Sequence, residues 1–174
     1  ESMIQNSNII KKIYFPRLII PGSAILVAFF DFIMGLLIFV VLCIIYKQSI
    51  SWQAVLYFPA GIIIVLLAAF GIGTFLAALN VKFRDFRYTI PFLLQVLFFA
   101  SQIIYPLFSI QQDWLKYLLA INPMNAAIEL FRSPLSGTTP DITVISIGLL
   151  STFLFFAIGI YYFRKTESYF ADLS

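Results

Sequence analysis

The stretch LIIPGSAILVAFFDFIMGLLIFVVLCIIY, residues 18–46, holds a single carboxylate, Asp31, and no Lys or Arg. A helix rises ~1.5 Å per residue and the hydrocarbon core of a bilayer is ~30 Å thick, so about 20 apolar residues suffice to cross it. Three further stretches, 54–81, 88–112 and 142–163, contain no Asp, Glu, Lys or Arg at all. Their apolar runs lack period-two alternation. They therefore predict helices rather than barrel strands, since in lipid each backbone polar group needs a partner within the protein. The expected fold is an all-α, polytopic membrane helix bundle. It forms one membrane domain over 1–174 with four transmembrane spans, and short re-entrant or interfacial helices precede the last span.

Composition agrees. The chain is 61% hydrophobic and 11% charged, against about 25% charged in ordinary soluble domains. It has no His, and Cys43 is the single Cys. That excludes a disulfide within the chain, a His- or Cys-rich metal site and a Ser-His hydrolase. No Gly-rich phosphate loop ending in Lys-Ser/Thr is present, so ATP hydrolysis by this chain is not expected. The chain begins at Glu1 without Met or a signal-peptide pattern, and it is expected to start part-way through a longer protein.

Charge placement sets the expected orientation. Of the 11 basic residues, eight lie before span one (Lys11, Lys12, Arg17), between spans two and three (Lys82, Arg84, Arg87) and after span four (Arg164, Lys165). Positive residues remain on the cytoplasmic side, which assigns these segments to the cell interior. Tyr14, Tyr88, Tyr161 and Tyr162 then mark the inner interface. Tyr46, Trp52, Tyr57, Tyr105, Trp114 and Tyr117 mark the outer one.

Within this frame several features invite a role. Residues 1–17 include a short amphipathic face, Ile9, Ile10, Ile13 and Tyr14. It suits a membrane surface or a partner groove, or serves as a basic topological anchor. Asp31 near the middle of span one costs ~2.5–3.5 kcal/mol to insert, which the apolar remainder outweighs. It should face protein or water, as a protonatable or cation-binding site or as an interhelical hydrogen-bonding group. In span two, Ala69, Gly73 and Ala77 recur at intervals of four and suit close helix packing. Phe92, Gln95, Phe99 and Gln102 fall on one helical face of span three, with Tyr105 beyond them. Aromatic faces and amides in that pattern suit a polar path for sugars, or interhelical amide bonding in a packed bundle.

The segment 113–140 is too apolar for a plain link and too interrupted for a span. Asp113 caps a short helix over 114–120. Asn122-Pro123 reads as an N-cap and first helical residue of a second helix ending at Arg132, before Ser133-Pro134. Glu129 and Arg132 are spaced to pair locally. The loop around Lys82, Arg84, Asp85 and Arg87 interleaves basic and aromatic residues, but two spans hold it at the membrane and no nucleic-acid role is expected.

Several motifs recur together. Lys-Ile-Tyr-Phe-Pro-Arg-Leu-Ile-Ile-Pro at 12–21, Leu-Asn-Val-Lys-Phe-Arg-Asp-Phe-Arg-Tyr at 79–88, Ile-Ile-Tyr-Pro at 103–106, Asn-Pro-Met at 122–124, Phe-Arg at 131–132 and the end from Phe163 to Asp172 stand in this order. Taken together the chain resembles the ABC-transporter permeases of the type-2 exporter family that export polysaccharide, O-antigen or teichoic acid. Gln102 departs from the pattern, which often has Pro after Ser here, and this bears on the kink of span three. Leu135-Ser136-Gly137 matches part of the cassette-ATPase signature but falls on the expected outer side.

The resemblance implies the C-terminal two-thirds of a six-span, multi-pass permease in the bacterial cytoplasmic membrane. It implies a homodimer, bound to ABC ATPase subunits that hold ATP and magnesium, exporting lipid-linked polysaccharide amid membrane lipids. It makes Asn8, Lys11, Lys12, Tyr14, Phe15 and Arg17 a coupling segment, with Lys82, Arg84, Asp85 and Arg87 a second ATPase contact. Phe92, Gln95, Phe99, Gln102 and Tyr105 become path-lining candidates, and Trp114, Asn122, Pro123, Glu129 and Arg132 an outer gate. No cofactor, metal or catalytic residue is expected in the chain itself. The residues also leave open an ABC exporter of drugs or lipids, or an ion-coupled carrier or membrane-embedded enzyme using Asp31.

Overall fold

The computed structural model describes residues 18–83, 85–106, 109–110 and 112–167. Among them lie six α-helices and no strand: α1 (Ile19–Ile45), α2 (Ala54–Lys82), α3 (Phe86–Ala100), α4 (Asp113–Ala120), α5 (Pro123–Ser136) and α6 (Ile142–Thr166). Three of them, α1, α2 and α6, are long and apolar enough to cross a membrane. The coupling residues at 8–17, together with Arg84 and the C-terminal motif from residue 168, lie outside the described residues.

Helices α1 and α2 run antiparallel, and α6 runs parallel to α2. Ile20 of α1, Ala78 of α2 and Phe163 of α6 form a buried cluster at one end. The α1–α2 loop and the start of α6 lie at the other. That is the arrangement a chain crossing back and forth must adopt. Tyr88 and Tyr161 are exposed toward the first end, while Tyr46, Trp52 and Trp114 are exposed toward the second.

Helix α2 is the hub, packed most extensively on α6, then on α5. The buried positions of α2 include Gly61, Ile64, Ala68, Gly71, Thr74 and Ala78, recurring at threes and fours like one coiled-coil seam. At the α2–α6 crossing a Cβ on Gly71 would sit 2.6 Å from Cα of Phe156, and one on Gly159 would strike the Gly71 carbonyl oxygen. Only small residues allow this approach, as expected where lipid gives helices no hydrophobic reason to associate. Thr74 satisfies its buried hydroxyl within its own helix, donating to the carbonyl of Phe70 at 2.7 Å.

The small stripe expected in span two is a different one. Ala69, Gly73 and Ala77 are half-buried, and a Cβ on Gly73 would lie 3.5 Å from Ile25 of α1. Since α2 is apolar around its whole circumference, composition leaves the phase of its tight seam open.

Span three is shorter than its apolar run. The expected helix over 88–112 stops at Ala100, where Ser101 turns extended at φ −90° and ψ 143°. Its 15 residues reach roughly 22 Å, short of a full hydrocarbon core. Pro106 accounts for part of this, because it has no N–H to offer the carbonyl of Gln102 four residues back.

Helix α5 also differs from expectation. It runs through Pro134 to Ser136 and stops at Gly137, whose φ of 67° is left-handed. Proline in the last turn costs one helical bond, whereas the left-handed glycine ends the helix outright.

Candidate functional site

Helices α4 and α5 form a hairpin that enters the bundle. Its lower part packs against the second and third turns of both neighbours. Ala126 and Ala127 cluster with Ile64 of α2, and the Ala126 methyl lies where a side chain on Gly148 of α6 would be. Ile64 is ten residues into α2, or ~15 Å along its axis. The hairpin therefore reaches down alongside α2 and α6 rather than resting on their ends. Its upper rim is tied to the α1–α2 loop, with Ser51 N–H donating to the Pro134 carbonyl at 3.0 Å and Gln48 Nε2 to the Leu135 carbonyl at 3.1 Å.

At the bottom of the hairpin a polar knot receives the end of α3. Asn122 is the N-cap of α5, its Oδ1 accepting from the N–H of Met124 at 3.1 Å. Its Nδ2 donates to Oγ of Ser101 at 2.9 Å. Asn125, fully buried, uses its whole amide. Nδ2 donates to the carbonyls of Ala100 at 3.1 Å and Leu119 at 2.7 Å. Oδ1 accepts from the N–H of Gln102 at 2.7 Å. Gln102 Nε2 returns a bond to the Asn125 carbonyl at 2.5 Å. Arg132 Nη2 donates to the Gln102 carbonyl at 2.8 Å, the group that Pro106 leaves free.

The physical logic is plain. Irregular backbone at this depth is tolerated only when protein supplies its partners. The knot converts the broken end of α3 into a satisfied junction and fixes the hairpin to it.

The predicted site residues divide. Phe92 and Phe99 are 68% and 58% exposed, and Gln95 is exposed beside them, so these three share an open face of α3. Gln102 does not join them. It lies past the helix end, 0% exposed, inside the knot. Its side chain bonds protein rather than lining a surface, which corrects the expectation of a four-residue stripe. Tyr105 is half-buried and donates its hydroxyl to the Phe99 carbonyl at 3.0 Å.

Among the gate candidates, Asn122, Pro123 and Arg132 belong to the knot and its helix, whereas Trp114 stands exposed on α4. Arg132 reaches across to Gln102 instead of making the expected local pair with Glu129, and its Nη1 is buried without a partner. Asp31 is exposed midway along α1. Lys82, Asp85 and Arg87 are exposed around the α2–α3 turn, where Lys82 Nζ lies 5.4 Å from the Phe83 ring centroid. Asn125, the centre of the knot, escaped the sequence reading. Its one signal was an Asn three residues past an Asn-Pro cap, on the same helical face.

Two further features shape the outer half. The Phe131 ring lies between Phe32, at 6.2 Å, and Phe58, at 5.7 Å between centroids. A cavity of about 460 Å³ opens beside them against Gly35, Phe39 and Arg132. At the rim, Asp141 caps α6 by accepting from Thr143 N–H at 2.9 Å, and its other oxygen pairs with Lys116 of α4. The Lys116 hydrogen bond holds the Asp141 carboxyl below its ordinary range against an opposing burial effect, and the same bond raises the Lys116 ammonium.

A helical hairpin inserted beside α2 and α6 and clamped to the shortened α3 thus precedes the last long helix. The ABC-2 type transporter family profile matches residues 2–136. The O-antigen export system permease protein RfbA of Myxococcus xanthus is 36% identical over 118 residues, covering 67% of this chain and 45% of that protein. A protein of the same name from Klebsiella pneumoniae is 26% identical over 172 residues, 99% of this chain and 66% of its own length. The matched region thus spans about half to two thirds of these relatives. With the family profile covering well over half of its residues, the chain belongs to the ABC-2 type transporter family.

Proposed function

We propose that this chain is the membrane-spanning part of a permease that moves lipid-linked polysaccharide of the O-antigen class out across the bacterial cytoplasmic membrane. The observation that carries the reading is similarity along 99% of the chain to a permease named for O-antigen export. In this reading two copies enclose the path, and ATP is hydrolysed with magnesium on separate ABC ATPase subunits. Closure of those subunits pushes on the 1–17 segment and on the turn bearing Lys82, Asp85 and Arg87. The helix bundles then shift between states of different substrate affinity, which is how one ligand's binding energy drives another's movement.

The residues of the described bundle take distinct parts. The open face of α3, with Phe92, Gln95 and Phe99, suits sugar rings, since aromatic faces stack on them and amides bond hydroxyls. The α4–α5 hairpin serves as the outer gate. Gln102, Asn122, Asn125 and Arg132 work as its clamp, positioning the hairpin against α3 without touching substrate.

The test is reconstitution of the full-length protein with its ATPase in vesicles carrying lipid-linked O-antigen. Export that requires ATP, and slows with Gln95→Ala and Phe99→Ala while ATP hydrolysis continues, is the expected result. Unchanged export in both variants rejects the path assignment. Absence of polysaccharide export, with drugs or simple lipids moved instead, rejects the substrate class.

A further inference from the structure

Helix α5 stops at the left-handed Gly137, so the carbonyls of its last turn have no helical N–H to accept from. The Ser136 hydroxyl turns back along its own helix, donating to the carbonyls of Arg132 at 3.2 Å and Ser133 at 3.3 Å. The next two carbonyls, of Pro134 and Leu135, are capped from the α1–α2 loop by Ser51 N–H and by Gln48 Nε2, the latter 87 residues away in sequence.

The loop is shaped for that reach. Lys47, with φ 52°, is the one residue other than glycine with a positive φ among the described residues. Its N–H and that of Gln48 return to the carbonyls of Ile44 at 3.1 Å and Cys43 at 3.0 Å, a paired closure that usually takes glycine. A left-handed lysine is costly because its Cβ crowds the following carbonyl oxygen. Such strain persists where fixed surroundings demand it. Here the turn brings Gln48 and Ser51 over the open end of α5.

Helix α1 joins this loop to the opposite end of the bundle. Its 27 residues reach ~40 Å, and past Pro21 no proline interrupts them. Ile20, at its start, is packed against Ala78 and Phe163. A continuous helix carries a displacement at one end to the other. The hairpin thus has two fastenings: its foot is bonded to α3 through Asn125, and its rim to α1 through Gln48 and Ser51.

We infer that Gln48 is a positioning residue of the outer gate, its Nε2 holding the rim of α5 so that movement of α1 is passed to the hairpin. The inference rests on the gate and ATPase assignments proposed above. Gln48 acts through α5 and does not touch substrate.

The experiment uses the full-length protein reconstituted with its ATPase in vesicles carrying lipid-linked O-antigen. Gln48→Met keeps the side-chain length and removes the donor, whereas Gln48→Lys keeps a donor at similar length. Export per ATP hydrolysed should fall about threefold to tenfold in Gln48→Met, the equivalent of one hydrogen bond. ATP hydrolysis should continue, and Gln48→Lys should restore most of the export. Hydrogen exchange gives a readout that needs no transport: the Ser51 amide should be protected in the unaltered protein and exchange faster in Gln48→Met, with the amides of α2 unchanged. A Ser51 amide that exchanges like a free loop in the unaltered protein overturns the tether. Unchanged export per ATP in a Gln48→Met protein whose loop has loosened overturns the coupling role alone. Parallel loss of export and hydrolysis, or a Gln48→Lys protein that behaves like Gln48→Met, overturns it as well. An unaltered complex that exports no polysaccharide fails the functional reading itself, and the gate role falls with it.

Discussion

Replacing Asn125 by Leu tests whether the polar knot holds the outer hairpin in place. Leu has the same branching and the same number of heavy atoms as Asn and is the larger of the two, so the change removes bonds without opening a cavity. Three bonds go: the one accepted from Gln102 N–H and the two donated to the carbonyls of Ala100 and Leu119. Side-chain hydrogen bonds inside membranes are worth ~0.6 kcal/mol on average, which sets a floor of roughly 2 kcal/mol for three. Each buried group left unsatisfied costs about 1–3 kcal/mol, which sets a ceiling several-fold higher. Because Leu119 and Ala100 sit at helix ends that can relax, we expect about 2–5 kcal/mol, toward the lower part of that range. The assay is reversible unfolding of the full-length protein in mixed micelles. Gln95→Leu serves as a control, because Gln95 is exposed on α3 and its loss should stay within about 0.5 kcal/mol. An Asn125→Leu effect no larger than the control would refute the reasoning, since the end of α3 would then be held by something other than the knot.

Two further outcomes follow from the packing and the rim. Gly159→Ala should destabilise by about 1–3 kcal/mol because its methyl meets the Gly71 carbonyl. Gly35→Ala, which meets nothing within 4 Å, should not, and the difference is read as a shift in melting temperature. The Lys116–Asp141 pair should give a broad stability plateau in pH. The Asp141 carboxyl is lowered, so its contribution is complete above the ordinary carboxylate range and is lost as pH falls through its folded value. The Lys116 ammonium is raised, so its contribution is complete below the ordinary lysine range and is lost as pH rises through its folded value. The pair is partly exposed, so each limb should amount to no more than about 1 kcal/mol. Asp141→Asn should flatten the acid limb, and an unaltered acid limb in that variant would assign it to another group.

What the sequence made legible was whatever depends on local length or local hydrogen bonding. The runs at 18–46, 54–81 and 142–163 coincide with α1, α2 and α6 because unbroken apolar length already specifies a spanning helix. The cap at Asn122 was readable because its bond partner, Met124, is two residues away. The end of α3 was not readable. Apolar residues continue through Ile103 and Ile104, and the groups that pull the chain out of the helix, Asn125 and Arg132, are 23 and 30 residues distant.

The same distance misplaced Gln102. On an uninterrupted helix it would share a face with Phe92, Gln95 and Phe99, but once the helix stops at Ala100 its phase no longer applies. Polar residues in a membrane protein thus carry two opposite meanings, a lining group or a clamp, and spacing alone does not separate them. Nearby proline does. A proline four residues after a membrane-embedded polar residue leaves that residue's carbonyl without a helical donor, and the protein must bring one from elsewhere. Here Pro106 leaves the Gln102 carbonyl open and Arg132 fills it, so the pair Gln102–Pro106 pointed to a junction while the Phe-Gln stripe pointed to a path.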